Sequence, residues 1–244
     1  MSSRDAVAAT VASLGLAASE AQLEALRRYL AELSLWNRKR DLVKADGDVL
    51  IVRHLADSLA GVPVVRRELE RARAAQPTGA QPPAASHPAG AAPTLLDLGS
   101  GGGFPGVPLA VFLPETRVVL IERAGGKCAF LRSAAAVAGL GTIEVRQADY
   151  RTAAREGATS AGARADVIVF RALAEIDADT AAALARLLQP AGAVVAYKGR
   201  YARATAEAEA ARELFAEVEV VSLDVPGLGE ERSLVVLRGP RQDF

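Results

Sequence analysis

The sequence predicts an α/β fold: a mostly parallel, doubly wound sheet with an antiparallel pair at its C-terminal edge, preceded by an N-terminal helical extension. Three observations predict it. Short β-rich runs alternate with helix-like runs from Thr94 onward. The last two β-rich runs have no helix between them. Residues 71–93 carry five of the chain's 12 prolines and hardly a large apolar side chain, which separates a helical start from the rest.

From the N-terminus, Leu23, Leu26, Leu30 and Leu33 recur at helical spacing between Glu20 and Leu35, and Ser19 with Gln22 three residues on has the form of a capping box. A second helical stretch runs from about Asp48 to Val65 through Leu50, Ile51, His54, Leu55, Leu59 and Val62. Residues 1–70 are therefore expected as a helical unit, 71–93 as an Ala/Pro-rich linker with a solvated His87, and 94–244 as the sheet domain. The strands expected there are TLLDL (94–98), VVLIE (118–122), TIEVRQ (142–147), DVIVFRA (166–172) and AVVAYKG (193–199). Segments such as KCAFLRSAAAVAG and ADTAAALARLL supply helices between them, and VEVVSLDV and RSLVVLR form the terminal pair.

Composition narrows the function. The 244 residues are half apolar, with 29 Lys+Arg against 29 Asp+Glu. Any basic surface for nucleic acid must then be local. The single Cys128 excludes an internal disulfide framework and a Cys-rich zinc site, and two distant histidines suggest no metal. One unpaired thiol fits the reducing cytoplasm. No apolar segment reaches the ~20 residues a membrane span needs, and the N-terminus does not read as a signal peptide.

The chemistry concentrates in LLDLGSGGGFPGVPLAVF, residues 95–112. Gly99, Gly101, Gly102, Gly103 and Gly106 come after the first strand, where an open α/β sheet binds ligands. Gly101-x-Gly103-x-x-Gly106 fits the dinucleotide fingerprint, with Glu122 ending the next strand. Asp97, however, would repel a pyrophosphate and suits an ammonium. Asp97-Leu-Gly99-Ser-Gly101-Gly-Gly103 is the acidic-x-Gly-x-Gly-x-Gly pattern of class I methyltransferases. Pro105 and Pro108 also remove N–H groups from the helix start. S-adenosyl-L-methionine is the expected cofactor; an NAD(P)-binding oxidoreductase, a small-molecule methyltransferase and a cofactor-binding regulator are the alternatives. In each enzyme reading Glu122 can accept from a ribose diol.

The segment after the fourth strand narrows the acceptor. Phe170-Arg171-Ala172-Leu173 lacks the Asp/Asn-Pro-Pro-aromatic motif used on exocyclic amines. Cys128 lies far from the loop a pyrimidine-carbon nucleophile would occupy and reads as a buried helix residue. Guanine N7 carries a free lone pair and needs only alignment with the methyl donor.

Several blocks together resemble the ribosomal RNA small subunit methyltransferase G family, also called glucose-inhibited division protein B. They are Leu35-Trp36-Asn37 with Asp41-Leu42, Arg53-His54-Leu55-Ala56-Asp57-Ser58, the Asp97–Leu109 loop, Gly126-Lys127, Phe130-Leu131, Arg171-Ala172, Lys198-Gly199 and Glu231-Arg232. The chain departs from the family at Asp41 and Val43, where Asn and Thr are common, at Phe170 and Ser233, where Ser and His are common, and in a longer linker at 71–93. The resemblance implies a class I methyltransferase fold and N7 methylation of a guanine in 16S ribosomal RNA, on naked RNA or the small ribosomal subunit. It implies cofactor contacts at Gly99, Ser100, Gly101, Gly103 and Phe104, the ribose at Glu122, and the adenine near Asp149, Tyr150 and Arg151. Arg171 would face cofactor and base and, with Lys198, carry catalysis.

RNA is expected along a face formed by Asn37, Arg53, His54 and Asp57 and along a rim that includes Arg123, Lys127, Lys198 and Arg200. Trp36 reads as the anchor docking the helical unit on the sheet domain. Strand-end pairing of Arg171 and Lys198 with Glu122 or Asp149 is the structural alternative. The chain is expected as a monomer.

Overall fold

The computed structural model describes residues 3–45, 47–75, 91–156 and 164–241. Most of the expected linker, His87 included, lies outside them. The N-terminal helices are α1 (Ser3–Ser13), α2 (Glu20–Asn37), α3 (Gly47–Leu50), a π-helical turn (Ile51–Ala56), α4 (Asp57–Ala60) and α5 (Val62–Ala74). The capping box forms: the Ser19 hydroxyl accepts from the Gln22 amide, and the Gln22 side chain accepts from the Ser19 amide. The second helical stretch is not continuous. A Cβ at Gly61 would meet the Tyr197 hydroxyl at 2.1 Å, and Pro63 lacks the N–H to continue the helix. The helices are divided at Gly61, where Tyr197 leaves no room for a side chain, and α5 then runs on to Ala74, past the expected start of the linker.

The second part alternates β1 (Thr94–Leu98), α6 (Gly106–Phe112), β2 (Arg117–Glu122), α7 (Gly125–Ala138), β3 (Ile143–Gln147), α8 (Tyr150–Glu156), β4 (Ala165–Arg171), α9 (Ala178–Leu187), β5 (Leu188–Lys198), α10 (Tyr201–Ala210), β6 (Phe215–Leu223) and β7 (Arg232–Pro240). The sheet order is β3-β2-β1-β4-β5-β7-β6. The first five strands are parallel, and β7 is antiparallel to both β5 and β6. All five residues of β1 are buried, as a central parallel strand covered on both faces requires.

Alternate residues of β1 serve two cores. Leu95 packs with the N-terminal helices, α6 and α7; Leu96 and Leu98 pack with α8, α9 and α10. Leu26, Tyr29, Leu55 and Val62 of the extension lie in the same cluster as Leu95, Val167 and Val195 of the sheet. Each such buried side chain removes apolar area worth about 1.5–3 kcal/mol. Trp36 meets Phe130 of α7 edge-on at 5.9 Å, the docking contact expected of it. The helical extension thereby reaches the carboxyl edge of β1, where the glycine loop begins.

Candidate active site

The loop after β1 is held by its own backbone. The Gly99 and Ser100 amides donate to the Ile121 carbonyl at 2.8 and 3.1 Å, and the Ser100 hydroxyl donates to the Asp97 carbonyl at 3.0 Å. Gly99, Gly101 and Gly103 have φ of +68°, +55° and +91°, a region that L side chains rarely adopt. Glu122 closes the far side: its carboxylate accepts from Gly101 at 3.1 Å and from Ala124 at 2.8 Å. The loop is also touched from the extension. Tyr29, fully buried, donates to the Gly102 carbonyl at 2.6 Å and meets the Phe104 ring edge-on. Tyr29→Phe is expected to weaken S-adenosylhomocysteine binding about tenfold, since a lost buried hydrogen bond of about 1–1.5 kcal/mol falls on the loop itself. Titration calorimetry reads that change.

Asp97 sits under the loop with no solvent exposure. One carboxylate oxygen accepts from Gly106 at 3.0 Å, and the other is buried with no partner among the described residues. Burial raises its pKa to about 7 from an ordinary 3.8. A folded-state value above the unfolded one favours the protonated fold. The stability tied to Asp97 is thus full at low pH and is lost as pH rises from about 4 to about 7. Melting curves of the ligand-free protein should show the wild type losing Tm relative to Asp97→Asn across that window. An ammonium beside the carboxylate would reverse the preference, so S-adenosylhomocysteine should restore more Tm at pH about 8 than at about 5.

A second cluster meets this loop at Phe104. Arg171, ending β4, donates through Nη1 to Asp57 at 3.0 Å and to the Arg53 carbonyl at 3.3 Å. Its Nη2 lies 2.6 Å from His54 Nδ1. A guanidinium only donates, so Nδ1 accepts and the imidazole proton sits on Nε2. Burial, then Arg171, Arg53 and Arg232, lower the His54 pKa to about 4, which leaves the ring neutral. The ring stacks on Phe104 at 5.3 Å, and the Arg171 guanidinium lies 5.4 Å over the same ring. Arg232 Nε approaches Asp57 from the other side at 3.3 Å. The π-helical turn carries Arg53 and His54 just ahead of Asp57, a feature frequent at functional sites.

A cleft of ≈ 820 Å³ opens beside this cluster, between the ends of β4 and β5. Six cations line it (Arg53, Arg171, Lys198, Arg200, Arg203, Arg232) against three carboxylates (Asp57, Glu175, Glu207). The neutral chain thus gathers cations at this site, two of which, Arg53 and Arg232, pair with Glu230 at its edge.

Other expected residues are placed differently. The Asn37 amide is engaged within its own turn, donating to the Val43 carbonyl and accepting from the Leu42 and Val43 amides. His54 and Asp57 both turn to Arg171. Arg171 pairs with Asp57 and Lys198 with Glu207, instead of Glu122 or Asp149. Phe104 is buried beneath His54 and Arg171. Asp149 caps the Arg151 amide, and the Arg151 guanidinium lies over the Tyr150 ring at 4.7 Å. Arg123 is exposed and Lys127 half-buried at the start of α7. Cys128 is buried, and its thiol donates to the Glu122 carbonyl. The sequence reading missed Tyr29, Leu173 and Glu207. Tyr29 lies three residues after Leu26 in an apolar stripe and reads as ordinary core.

The residues fit S-adenosylmethionine: a buried unpartnered oxygen at Asp97 for an ammonium, left-handed glycines beside it, and the Glu122 carboxylate at the end of β2. The model of the rRNA small subunit methyltransferase G family matches residues 84–235. The chain is 34% identical over 238 residues to the ribosomal RNA small subunit methyltransferase G of Neisseria gonorrhoeae, covering 97% of this chain and 99% of that protein.

This chain belongs to the rRNA small subunit methyltransferase G family.

Family members from Acidovorax sp. (strain JS42) and Stenotrophomonas maltophilia are 37% and 36% identical, each covering over nine-tenths of both chains. A crystal structure of a predicted O-methyltransferase, protein Atu636 from Agrobacterium tumefaciens, matches with a TM-score of 0.50 at 23% identity, covering 65% of this chain and 79% of that one. It shares the fold. The chain is an S-adenosylmethionine-dependent methyltransferase of the class I type, as its glycine loop predicts. Among the described residues no helix is long and apolar enough to cross a membrane, and no group of three His, Cys, Asp or Glu side chains is placed to hold a metal.

Proposed function

We propose that this chain transfers a methyl group from S-adenosylmethionine to N7 of a guanine in 16S rRNA, acting as a cytoplasmic monomer on the small ribosomal subunit. One observation carries the choice of atom: the site's acid–base groups are already committed. His54 Nδ1 accepts from Arg171, Asp57 faces two guanidiniums, and Asp97, under the glycine loop, is taken by the cofactor's ammonium. None is free to deprotonate an acceptor. Guanine N7 requires no deprotonation, because its lone pair attacks directly.

The cofactor, when bound, supplies an electrophilic methyl group. Asp97 and the glycine loop hold its amino-acid end, Glu122 its ribose, and the Asp149–Arg151 turn its adenine. Arg171 stands between this site and the cleft, fixed by Asp57, His54 and Phe104. Alignment by such a fixed frame is worth several kcal/mol. Arg200 offers a cation to RNA phosphates at the cleft, with Arg123 and Lys127 along the neighbouring rim, and Arg53, Arg203 and Arg232 can exchange their pairs with Glu230 and Glu175 for phosphates, so RNA binding weakens with salt. The target base must be unstacked to enter.

Small subunits reconstituted from transcripts containing 7-deazaguanosine test the atom. Labelled methyl groups should enter guanosine-containing subunits and not the deaza ones. Equal labelling of both would reject N7.

A further inference from the structure

We propose that Glu207 is a positioning residue for methyl transfer: with Lys198 it clamps the segment that follows Arg171 at the end of β4 and carries Leu173 onto the cofactor loop. The proposal rests on the methyltransferase reading above. Residues 172–177 connect β4 to α9 without regular structure. Glu207, on α10, reaches back to this segment and accepts from the Ile176 amide at 3.1 Å. The same oxygen accepts from Lys198 Nζ at 2.5 Å, and that ammonium also donates to the Ala174 carbonyl at 3.0 Å. Both side chains are nearly buried, and Lys198 lies 5.3 Å over the Phe170 ring. The Lys198 ammonium is thus spent on the segment and on Glu207, where the sequence reading gave it to catalysis and RNA.

The segment needs holding. Ala172 has φ of +52°, a left-handed conformation that is strained for a non-glycine residue and persists only where its surroundings impose it. Leu173 then presses on the cofactor loop: a Cβ at Gly99 would meet its Cδ1 at 2.6 Å. On the other side Arg171 reaches Asp57 and His54. Anchors at Ala174 and Ile176 fix the segment that joins these two contacts to α9. Without Glu207 the Ile176 amide loses its acceptor and Lys198 its counterion, and the segment can drift from the cofactor loop. Misplacement of this kind lowers turnover more than ligand affinity.

E207A is expected to lower kcat at least about tenfold per folded molecule, with KM for S-adenosylmethionine changed by less than about threefold. E207Q keeps an oxygen for Ile176 and Lys198 and should recover at least about a third of wild-type kcat. Should E207A fail to fold, E207D, which keeps the charge but lacks the reach, should show the same loss. Hydrogen exchange of the 172–177 amides should rise in E207A while β1, β4 and β5 stay protected. E209A, on the same helix but paired with Arg212 at the surface, should match the wild type in every reading. Wild-type kcat together with unchanged exchange in E207A overturns the proposal, as does a lower Tm with unchanged kcat per folded molecule. A wild type without methyl transfer would reject the functional reading, and the exchange comparison would still decide the clamp.

Discussion

Arg171→Ala is expected to reduce methyl transfer about 100-fold, because the proposed alignment of donor and acceptor rests on this side chain. The guanidinium joins Asp57, His54 and the Phe104 ring in one arrangement. Its removal leaves Asp57, which is almost wholly buried, with the longer contact to Arg232. Breaking a buried pair from one side costs about 3–5 kcal/mol, and the remaining Arg232 contact places this case near the lower end. His54 would also lose the donor that holds its Nδ1 as an acceptor. Arg171→Lys should recover little activity, since an ammonium cannot reproduce the planar fork that serves Asp57 and His54 together. Steady-state transfer of labelled methyl groups, paired with thermal melts, separates the activity loss from the stability loss. Arg171→Ala with wild-type kcat would remove Arg171 from the mechanism.

Gly106→Ala is expected to destabilise the fold by about 2–3 kcal/mol, the scale of overpacking in a closed core. The added Cβ would stand 2.5 Å from Asp97 Oδ2 and 2.5 Å from Leu120 Cδ2. The backbone of Gly106 is not left-handed, so crowding alone acts there. Relief requires α6 to move off β1, which breaks the Gly106–Asp97 hydrogen bond and shifts the glycine loop. S-adenosylhomocysteine affinity should therefore fall by more than about tenfold, the affinity equivalent of about 1.4 kcal/mol. Gly139→Ala is the control: its φ of +72° is left-handed, nothing lies within 4 Å, and it sits at the C-cap of α7. It should lose about 1 kcal/mol and keep cofactor affinity. Urea melts and calorimetry on the two variants check this. Gly106→Ala with a loss no larger than that of Gly139→Ala and unchanged cofactor affinity would contradict the packing of Gly106 on Asp97 as what holds the loop.

Local signals carried most of the fold into view. Alternating β-rich and helical runs mark a parallel sheet, and the unbroken pair at the end marks its antiparallel edge. The glycine loop and Asp97 were legible for the same reason, because a loop conformation and a strand end are written in adjacent residues. Contacts between distant residues were not. His54 and Asp57 read as neighbours on one helix, yet their partner is Arg171, 114 positions beyond Asp57. The need for a glycine at position 61 comes from Tyr197, far along the chain on β5. Asn37 is expected on the RNA face from its sequence. Its use in closing the turn to Val43 depends on backbone geometry. Glu207 looks like any surface carboxylate on an Ala-rich helix until Lys198 and Ile176 are brought to it.

The central claim is that this chain methylates guanine N7 in 16S rRNA, and nucleoside mass analysis tests it most directly. Small ribosomal subunits from cells lacking this gene would be incubated with the purified protein and labelled S-adenosylmethionine. Their rRNA would then be digested to nucleosides. The account predicts label in 7-methylguanosine and its loss with Arg171→Ala. Label in any other nucleoside, or none while the cofactor binds tightly, would contradict it.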